Sequence, residues 1–153
     1  MELVLWRHAD AEDGPSDLKR ELTERGRKQA KAMSKWLRPR LEGKWEILVS
    51  PAARAKQTAD ALELEYNVCL TLGPLETEDA LIREANWPAN ERHVVVVGHQ
   101  PTLGRVAARL LAGHRGDLTM KKGSVWWFSS KLDEEVGQGQ TLLRAVMGPD
   151  FTD

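Results

Sequence analysis

Cysteine is almost absent. Cys69 is the only one in 153 residues, so neither an intrachain disulfide nor a cysteine-rich metal site can form. Set between Val68 and Leu70, it reads as a small buried core residue. No stretch approaches the roughly 20 apolar residues a membrane span requires. Arg7 and Asp10 interrupt the apolar N-terminal stretch too early for a secretory signal. The expected location is the cytoplasm. Charge of one sign is also missing: 22 basic against 23 acidic residues give a net charge of -1, which argues against a general nucleic-acid binder. Internal repeats, low-complexity tracts and linkers are absent too, and one domain over residues 1–153 is expected. A chain of this length buries roughly 70% of its unfolded surface, so one core suffices without staples. No clustered carboxylates or histidines show metal-ligand spacing, and neither a metal nor a cofactor is expected.

The near-zero charge is unevenly spread. Ten basic residues lie between Lys19 and Lys44, while the stretch from Asp60 to Glu91 is acidic. Two solvated helix faces account for this most simply. A basic docking surface for an acidic phosphoprotein is the functional alternative. The six tryptophans are scattered and read as filling core and surface grooves.

Apolar periodicity alternates between strand and helix. Leu3–Trp6 is the first strand, and the polar residues 9–21 are a loop. Thr23 caps a helix with Gly26, Ala30, Met33, Leu37 and Leu41 on one face, ending near Arg38 because Pro39 follows. Glu46–Ser50 is a second strand. Ser50 is the expected cap and Pro51 the first position of the next helix, whose stripe is Ala55, Ala59 and Leu62. Asn67–Leu72 reads as a short strand and 76–86 as a weak helix. His93–Gly98, with four consecutive valines, has the pattern of a strand buried on both faces. Thr102 is the expected cap of the helix after it, which carries Leu103, Val106, Ala107, Leu110 and Leu111 on one face. Residues 113–123 form a loop. Ser124–Ser130 and Thr141–Met147 alternate in period two around a polar, Gly-containing turn, suggesting an antiparallel pair. The expected fold class is α/β: a single-domain three-layer α/β/α sandwich with a mostly parallel central sheet.

Within that frame three strand ends carry unusual residues. The first delivers Arg7-His8 where a turn residue normally stands. The second runs through Ser50-Pro51 into a helix bearing Arg54 in its first turn. The valine strand ends in Gly98-His99-Gln100-Pro101. Parallel strands bring these ends to one edge of the sheet, where open α/β sheets keep their ligand crevice. Two helix N-termini there add N–H donors and positive dipole ends. A guanidinium grips phosphate oxygens in a planar fork, and an imidazole nitrogen can attack phosphorus. Two arginines, two histidines and those amides suit a dianionic phosphoryl group. Taken singly, each residue has a plainer reading as a turn or surface residue; three independently decorated strand ends do not.

These residues resemble the histidine phosphatase superfamily, whose signature is Arg-His-Gly near the N-terminus and which here reads Arg7-His8-Ala9. The family's Ser-Pro-x-x-Arg-x-x-Gln-Thr stands as Ser50-Pro51-Ala52-Ala53-Arg54-Ala55-Lys56-Gln57-Thr58, its Gly-His as Gly98-His99, and a fourth similarity is Leu22-Thr23-Glu24-Arg25-Gly26. Small size, the Arg-His-Ala-Asp-Ala run and the short segment between Arg54 and His99 make the chain most similar to the SixA-like phosphohistidine phosphatase branch. The resemblance implies a phosphoglycerate mutase-like fold. It also implies a metal-independent phosphatase in which His8 is the nucleophile and forms a phosphohistidine enzyme intermediate. Arg7, Arg54 and a protonated His99 would bind the phosphoryl oxygens. The implied substrate and partner is a phosphohistidine-bearing protein; the alternative is a small phosphate ester, and a third reading is a non-catalytic phospho-ligand binding regulatory module. Glu76 is the candidate general acid, with Asp10 and Glu12 as weaker ones, although a helix N-terminal role suits Glu76 slightly better. His93, His114, Ser124 and the run Trp126-Trp127-Phe128 read as structural.

Overall fold

A computed structural model of the protein describes residues 1–133 and 138–152. The elements in chain order are β1 (Glu2–Arg7), α1 (Glu24–Leu37), β2 (Trp45–Val49), α2 (Ala53–Asp60), β3 (Asn67–Val68), α3 (Glu78–Ala85), β4 (His93–Gly98), α4 (Thr102–Ala112), β5 (Val125–Asp133) and β6 (Gln138–Met147). The strands form one sheet in the order β3-β2-β4-β1-β5-β6. β4 pairs in parallel with β1 and β2, and β2 in parallel with β3. β5 runs antiparallel to both β1 and β6. The mostly parallel α/β sandwich and the terminal antiparallel pair are as expected. That pair is longer than its period-two pattern suggested, and residues 134–137 of the turn between the strands lie outside the described residues.

Strand alternation divides the core in two. Leu3, Leu5, Val94, Val96 and Phe128 face α3 and α4 through Leu81, Leu103 and Val106. Val4, Trp6, Val95, Val97 and Trp127 face α1 and α2 through Met33, Leu37, Ala55 and Ala59. Burial of β1 and β4 on both faces explains their unbroken apolar runs. Cys69 is buried in the first of these clusters. Among the described residues no helix is long and apolar enough to cross a membrane.

Several local expectations are corrected. α2 starts at Ala53, with Ala52 in the cap position and no side-chain cap. Ser50 is therefore not its cap, and Pro51 lies before the helix. Pro101, not Thr102, occupies the cap position of α4, and the Thr102 hydroxyl donates instead to the Glu76 carbonyl at 2.8 Å. Only Asn67–Val68 is extended in the predicted third strand; Leu70–Leu72 winds into a 3-10 turn. Thr23 does cap α1, accepting from the Gly26 amide.

Two close backbone approaches set the loops that surround the strand ends. A Cβ on Gly26 would stand 2.0 Å from the Asp10 carbonyl oxygen, so the first turn of α1 packs directly on the chain just after β1. Thr23 reinforces this contact: its amide donates to the Asp10 carbonyl at 3.0 Å and its hydroxyl to Asp10 Oδ2 at 2.7 Å. A Cβ on Gly104 would stand 1.7 Å from the Leu118 carbonyl oxygen, which seats the 113–123 loop on the start of α4. From there that loop reaches β1, where the Gly123 amide donates to the carbonyls of Arg7 and His8.

Candidate active site

The parallel register brings the C-terminal ends of β1, β4 and β2 together. Arg7 pairs with Gly98, and the His8 amide donates to the Gly98 carbonyl at 3.0 Å. The Ser50 amide donates to the Val97 carbonyl at 3.1 Å. Arg54 follows within the first turn of α2. Three of the expected four side chains meet: the rings of His8 and His99 lie 5.1 Å apart, and Arg54 stands against both, while Arg7 acts on both imidazoles through its positive charge.

Hydrogen-bond partners fix both tautomers. His8 Nδ1 faces the Ala9 carbonyl at 2.7 Å, which can only accept, so Nδ1 carries the proton and Nε2 is a bare lone pair. That Nε2 lies 3.4 Å from Arg54 Nε. Replacing the family's glycine with Ala9 leaves this carbonyl in place, with Ala9 wholly buried and its amide donating to Thr58 Oγ1 at 3.0 Å. His99 Nδ1 faces Arg54 Nη2 at 3.4 Å, and a guanidinium only donates. Nδ1 is therefore bare, and Nε2–H donates to Ser50 Oγ at 2.7 Å.

Both imidazoles are neutral in the free protein. Burial, assisted by the positive charge of Arg54 and Arg7, pushes His8 down to about 4 even though the Ala9 hydrogen bond opposes it. Burial, then the neighbouring His8 and Arg54, pushes His99 down to about 3. The expected protonated His99 is thus corrected for the free pocket: a buried ring beside two arginines does not hold a proton until an anion arrives. A stability consequence follows. The unfolded chain takes up these protons near 6.5, the folded chain only near 4 and 3. The unfolded state therefore binds more protons throughout that window, and stability present above about pH 6.5 is lost as pH falls through it. The expected loss is a few kcal/mol, about 1.4 for each unit by which a group is displaced. Thermal melts between pH 7 and 4 check this. The melting temperature should fall over that range and fall less in His99→Asn; an equally steep fall in the variant would show that His99 is not its source.

Arg7 and Arg54 differ in their surroundings. Arg54 is 4% exposed. Arg7 donates through Nη1 to the Met120 carbonyl at 2.7 Å. Its Nε is buried without a hydrogen-bond partner, the one such side-chain atom among the described residues. An unpaired buried donor costs about 1–3 kcal/mol unless something supplies the acceptor. The two long 3.4 Å contacts of Arg54 leave unspent hydrogen-bonding capacity beside the bare Nε2 of His8. The α4 amides contribute less than expected, because Gly104 N already donates to Gln100 Oε1 at 2.7 Å and Leu103 N to the His99 carbonyl.

The Glu76 main chain is pinned at the site edge by Thr102, but its side chain is exposed. Asp10 is committed to fastening the loop: it accepts from Thr23 and from Lys122 Nζ at 3.1 Å, and these bonds hold its carboxyl below the usual range. Glu12 is exposed. Ser124 has the expected turn role, donating to the Lys121 carbonyl, and His93 accepts from the Glu2 amide at the far end of β4. His114 is exposed and faces the neighbouring Arg115 carbonyl through Nδ1 at 2.8 Å.

Four contributors were not anticipated individually. Ser50 orients His99. Thr58 links Ala9 to α2, donating to the Arg54 carbonyl at 2.7 Å. Gln57 accepts from the Leu22 amide at 2.8 Å. Asp17 holds Arg54, with its main-chain carbonyl 2.7 Å from Nη1 and Oδ2 3.1 Å from Nη2. Arg54, Gln57 and Thr58 sit three and four residues apart on one face of α2, which is the physical content of the Arg-x-x-Gln-Thr spacing.

Two neutral imidazoles and the Arg54 guanidinium meet at the strand ends of an α/β sandwich, an arrangement whose chemistry suits a phosphoryl group. The chain belongs to the histidine phosphatase superfamily: residues 3–88 match the model of its branch 1. It is a phosphatase, and its similarities place it in the SixA-like branch. It is 33% identical over 127 residues to the phosphohistidine phosphatase SixA of Escherichia coli, covering 74% of this chain and 76% of that one. An uncharacterized protein of Picosynechococcus is 33% identical over 144 residues, 82% of each chain. The structure of the protein histidine phosphatase SixA complexed with tungstate superposes with a TM-score of 0.77 over 100% of both chains at 25% identity. A phosphoserine phosphatase of Entamoeba histolytica, 15% identical, shares the fold with a TM-score of 0.69 over 95% of each chain.

Proposed function

We propose that the protein removes the phosphoryl group from phosphohistidine on a protein, through a phosphohistidine intermediate on His8. The single observation that carries this reading is the bare, neutral Nε2 of His8 lying against Arg54. Nε2 attacks phosphorus in line; its bond to phosphorus forms as the bond to the leaving imidazole breaks. Arg7, Arg54 and His99 bind the three non-bridging oxygens, and the dianion draws a proton onto His99 as it arrives. Water then cleaves the His8–phosphorus bond and releases phosphate. The cationic side chains carry the charge in transit, so no step calls on a metal.

The ionised state of Asp10 and Asp17 suits a nitrogen leaving group. An alkoxide leaves as a strong base and needs a donated proton, worth typically 10²–10⁴-fold, whereas a departing imidazole can be protonated on its own ring. Asp10 and Asp17, the carboxylates held at the site, are both kept ionised by their partners. Similarity to SixA, described as a phosphohistidine phosphatase, supports the same substrate class. Beside Arg7 a groove of about 600 Å³ carries Arg25, Lys121 and Lys122, room for more of a substrate than its phosphoryl group.

Turnover of a phosphohistidine protein and of a panel of phosphate monoesters, in EDTA and with wild type and Glu76→Gln, tests the proposal. Phosphohistidine should be the better substrate by kcat/KM, and Glu76→Gln should leave its hydrolysis within about twofold, since a departing imidazole is protonated on its own ring and needs no general acid. Preferred turnover of a monoester, reduced 10²-fold or more by Glu76→Gln, would instead establish the ester reading with Glu76 as acid. Binding of a phosphoprotein without phosphate release would mark a regulatory module.

A further inference from the structure

The geometry points to Asp17 as the positioning residue that aims Arg54 at the phosphoryl group, an assignment that rests on the phosphatase reading of this pocket. A guanidinium has two usable forks. One is its outer end, Nη1 and Nη2; the other is its side, Nε and Nη2. Asp17 takes the outer fork completely, with its carbonyl on Nη1 at 2.7 Å and its carboxylate on Nη2 at 3.1 Å. The side fork is left facing the two histidines, with Nε 3.4 Å from His8 Nε2 and Nη2 3.4 Å from His99 Nδ1. Those two contacts are long for hydrogen bonds. The fork that meets the bare imidazole nitrogens is thus loosely engaged, while the fork turned away from them is locked.

Asp17 is itself braced. Its Oδ1 accepts from Arg20 Nη1 at 3.0 Å, and Arg20 Nε donates to the Glu12 carbonyl at 2.7 Å. The carboxylate therefore lies between a side chain of 5% exposure, Arg54, and one of 26%, Arg20. The two shorter contacts of the Arg54 side chain, to the Asp17 carbonyl and carboxylate, both come from a single 3-10 turn, Asp17–Lys19. A side-chain carboxylate and a main-chain carbonyl from one residue define a plane, which is what a planar fork needs to be held in one orientation. Misplacing such a group by about 1 Å can cost as much as 10²-fold in rate. Asp17 lies 37 residues before Arg54, in a polar loop, which is why its role appears only in three dimensions.

The alternative role for the carboxylate is a resident anion that competes with phosphate for Arg54, and the two make opposite predictions. The experiment is titration of the intact protein with inorganic phosphate, together with the NMR signal of the Arg54 Nε–H in the free protein. If Asp17 aims the fork, Asp17→Ala should weaken phosphate binding about tenfold and broaden or abolish the Arg54 Nε–H signal. Asp17→Asn, which keeps an oxygen for Nη2 and the same main-chain carbonyl, should restore most of both. Asp17→Glu keeps the charge but moves it one methylene further out, and it should bind phosphate more weakly than wild type. Asp17→Ala binding phosphate as tightly as wild type, or more tightly, would overturn the assignment, as would an unchanged Arg54 signal. Asp17 lies half-exposed on a surface turn, and Asp17→Asn covers the case in which alanine disturbs that turn. Neither readout contains phosphohistidine, so a failure of the proposed substrate would leave both measurements intact and separately interpretable.

Discussion

Replacing His8 with alanine is expected to lower phosphate release by about 10⁴-fold or more, the scale on which loss of an attacking nucleophile acts, while leaving the fold and phosphate binding largely in place. His8 is 7% exposed, and its hydrogen bonds run through Nδ1 to Ala9 and from Arg54 to Nε2. Neither is a bond the backbone relies on, since the His8 main chain is held separately by Gly98 and Gly123. Arg7 and Arg54 remain to bind an oxyanion. The signature is therefore a collapse in kcat with little change in affinity for inorganic phosphate. Quenching wild type at alkaline pH during turnover should trap a phosphoryl group on His8 by mass spectrometry, and the variant should show none. A His8→Ala protein that retained a tenth of wild-type turnover would remove His8 from the reaction.

Much of this site is written in the sequence because strands make it legible. Leu3–Trp6 and Val94–Val97 can only be strands buried on both faces, and each ends on a charged or imidazole side chain. Parallel pairing then forces Arg7, His8 and His99 to one edge without any knowledge of contacts. Arg54 follows from being one helical turn beyond the end of β2. What stayed hidden obeys no period. Asp17 reaches Arg54 across 37 residues from a loop whose composition says only that it is polar. Ser50 was expected to cap α2, a natural reading of Ser-Pro before a helix, yet its hydroxyl accepts from His99 and from the Ala52 amide instead. Thr102 likewise trades capping α4 for stapling the Glu76 carbonyl. In both places local propensity gave way to a tertiary partner, and both lie at the pocket. The protonation state of His99 was legible only as a family habit; burial beside two arginines shows it to be neutral until an anion binds.

Arg54→Ala should cost roughly 10²–10³-fold in kcat/KM, comparable to losing one fixed donor to a developing oxyanion, and Arg54→Lys should recover little of it. Charge alone does not describe what Arg54 supplies. Its outer fork is shaped to the carbonyl and carboxylate of Asp17, and its side fork faces His8 and His99 together. An ammonium is a point charge with no plane, so it cannot satisfy both pairs at once. Lysine does preserve the positive charge that helps depress His8. Arg54 acts on that imidazole behind the dominant effect of burial. Removing its charge in Arg54→Ala should shift the acid limb of kcat/KM upward from about 4, while Arg54→Lys should leave that limb where wild type has it. The pair of variants thus separates geometry from charge: both lose rate, but only alanine moves the pH profile. Full recovery of rate by lysine would show that the pocket needs a cation and not a fork, and the two-fork account of Arg54 would then be wrong.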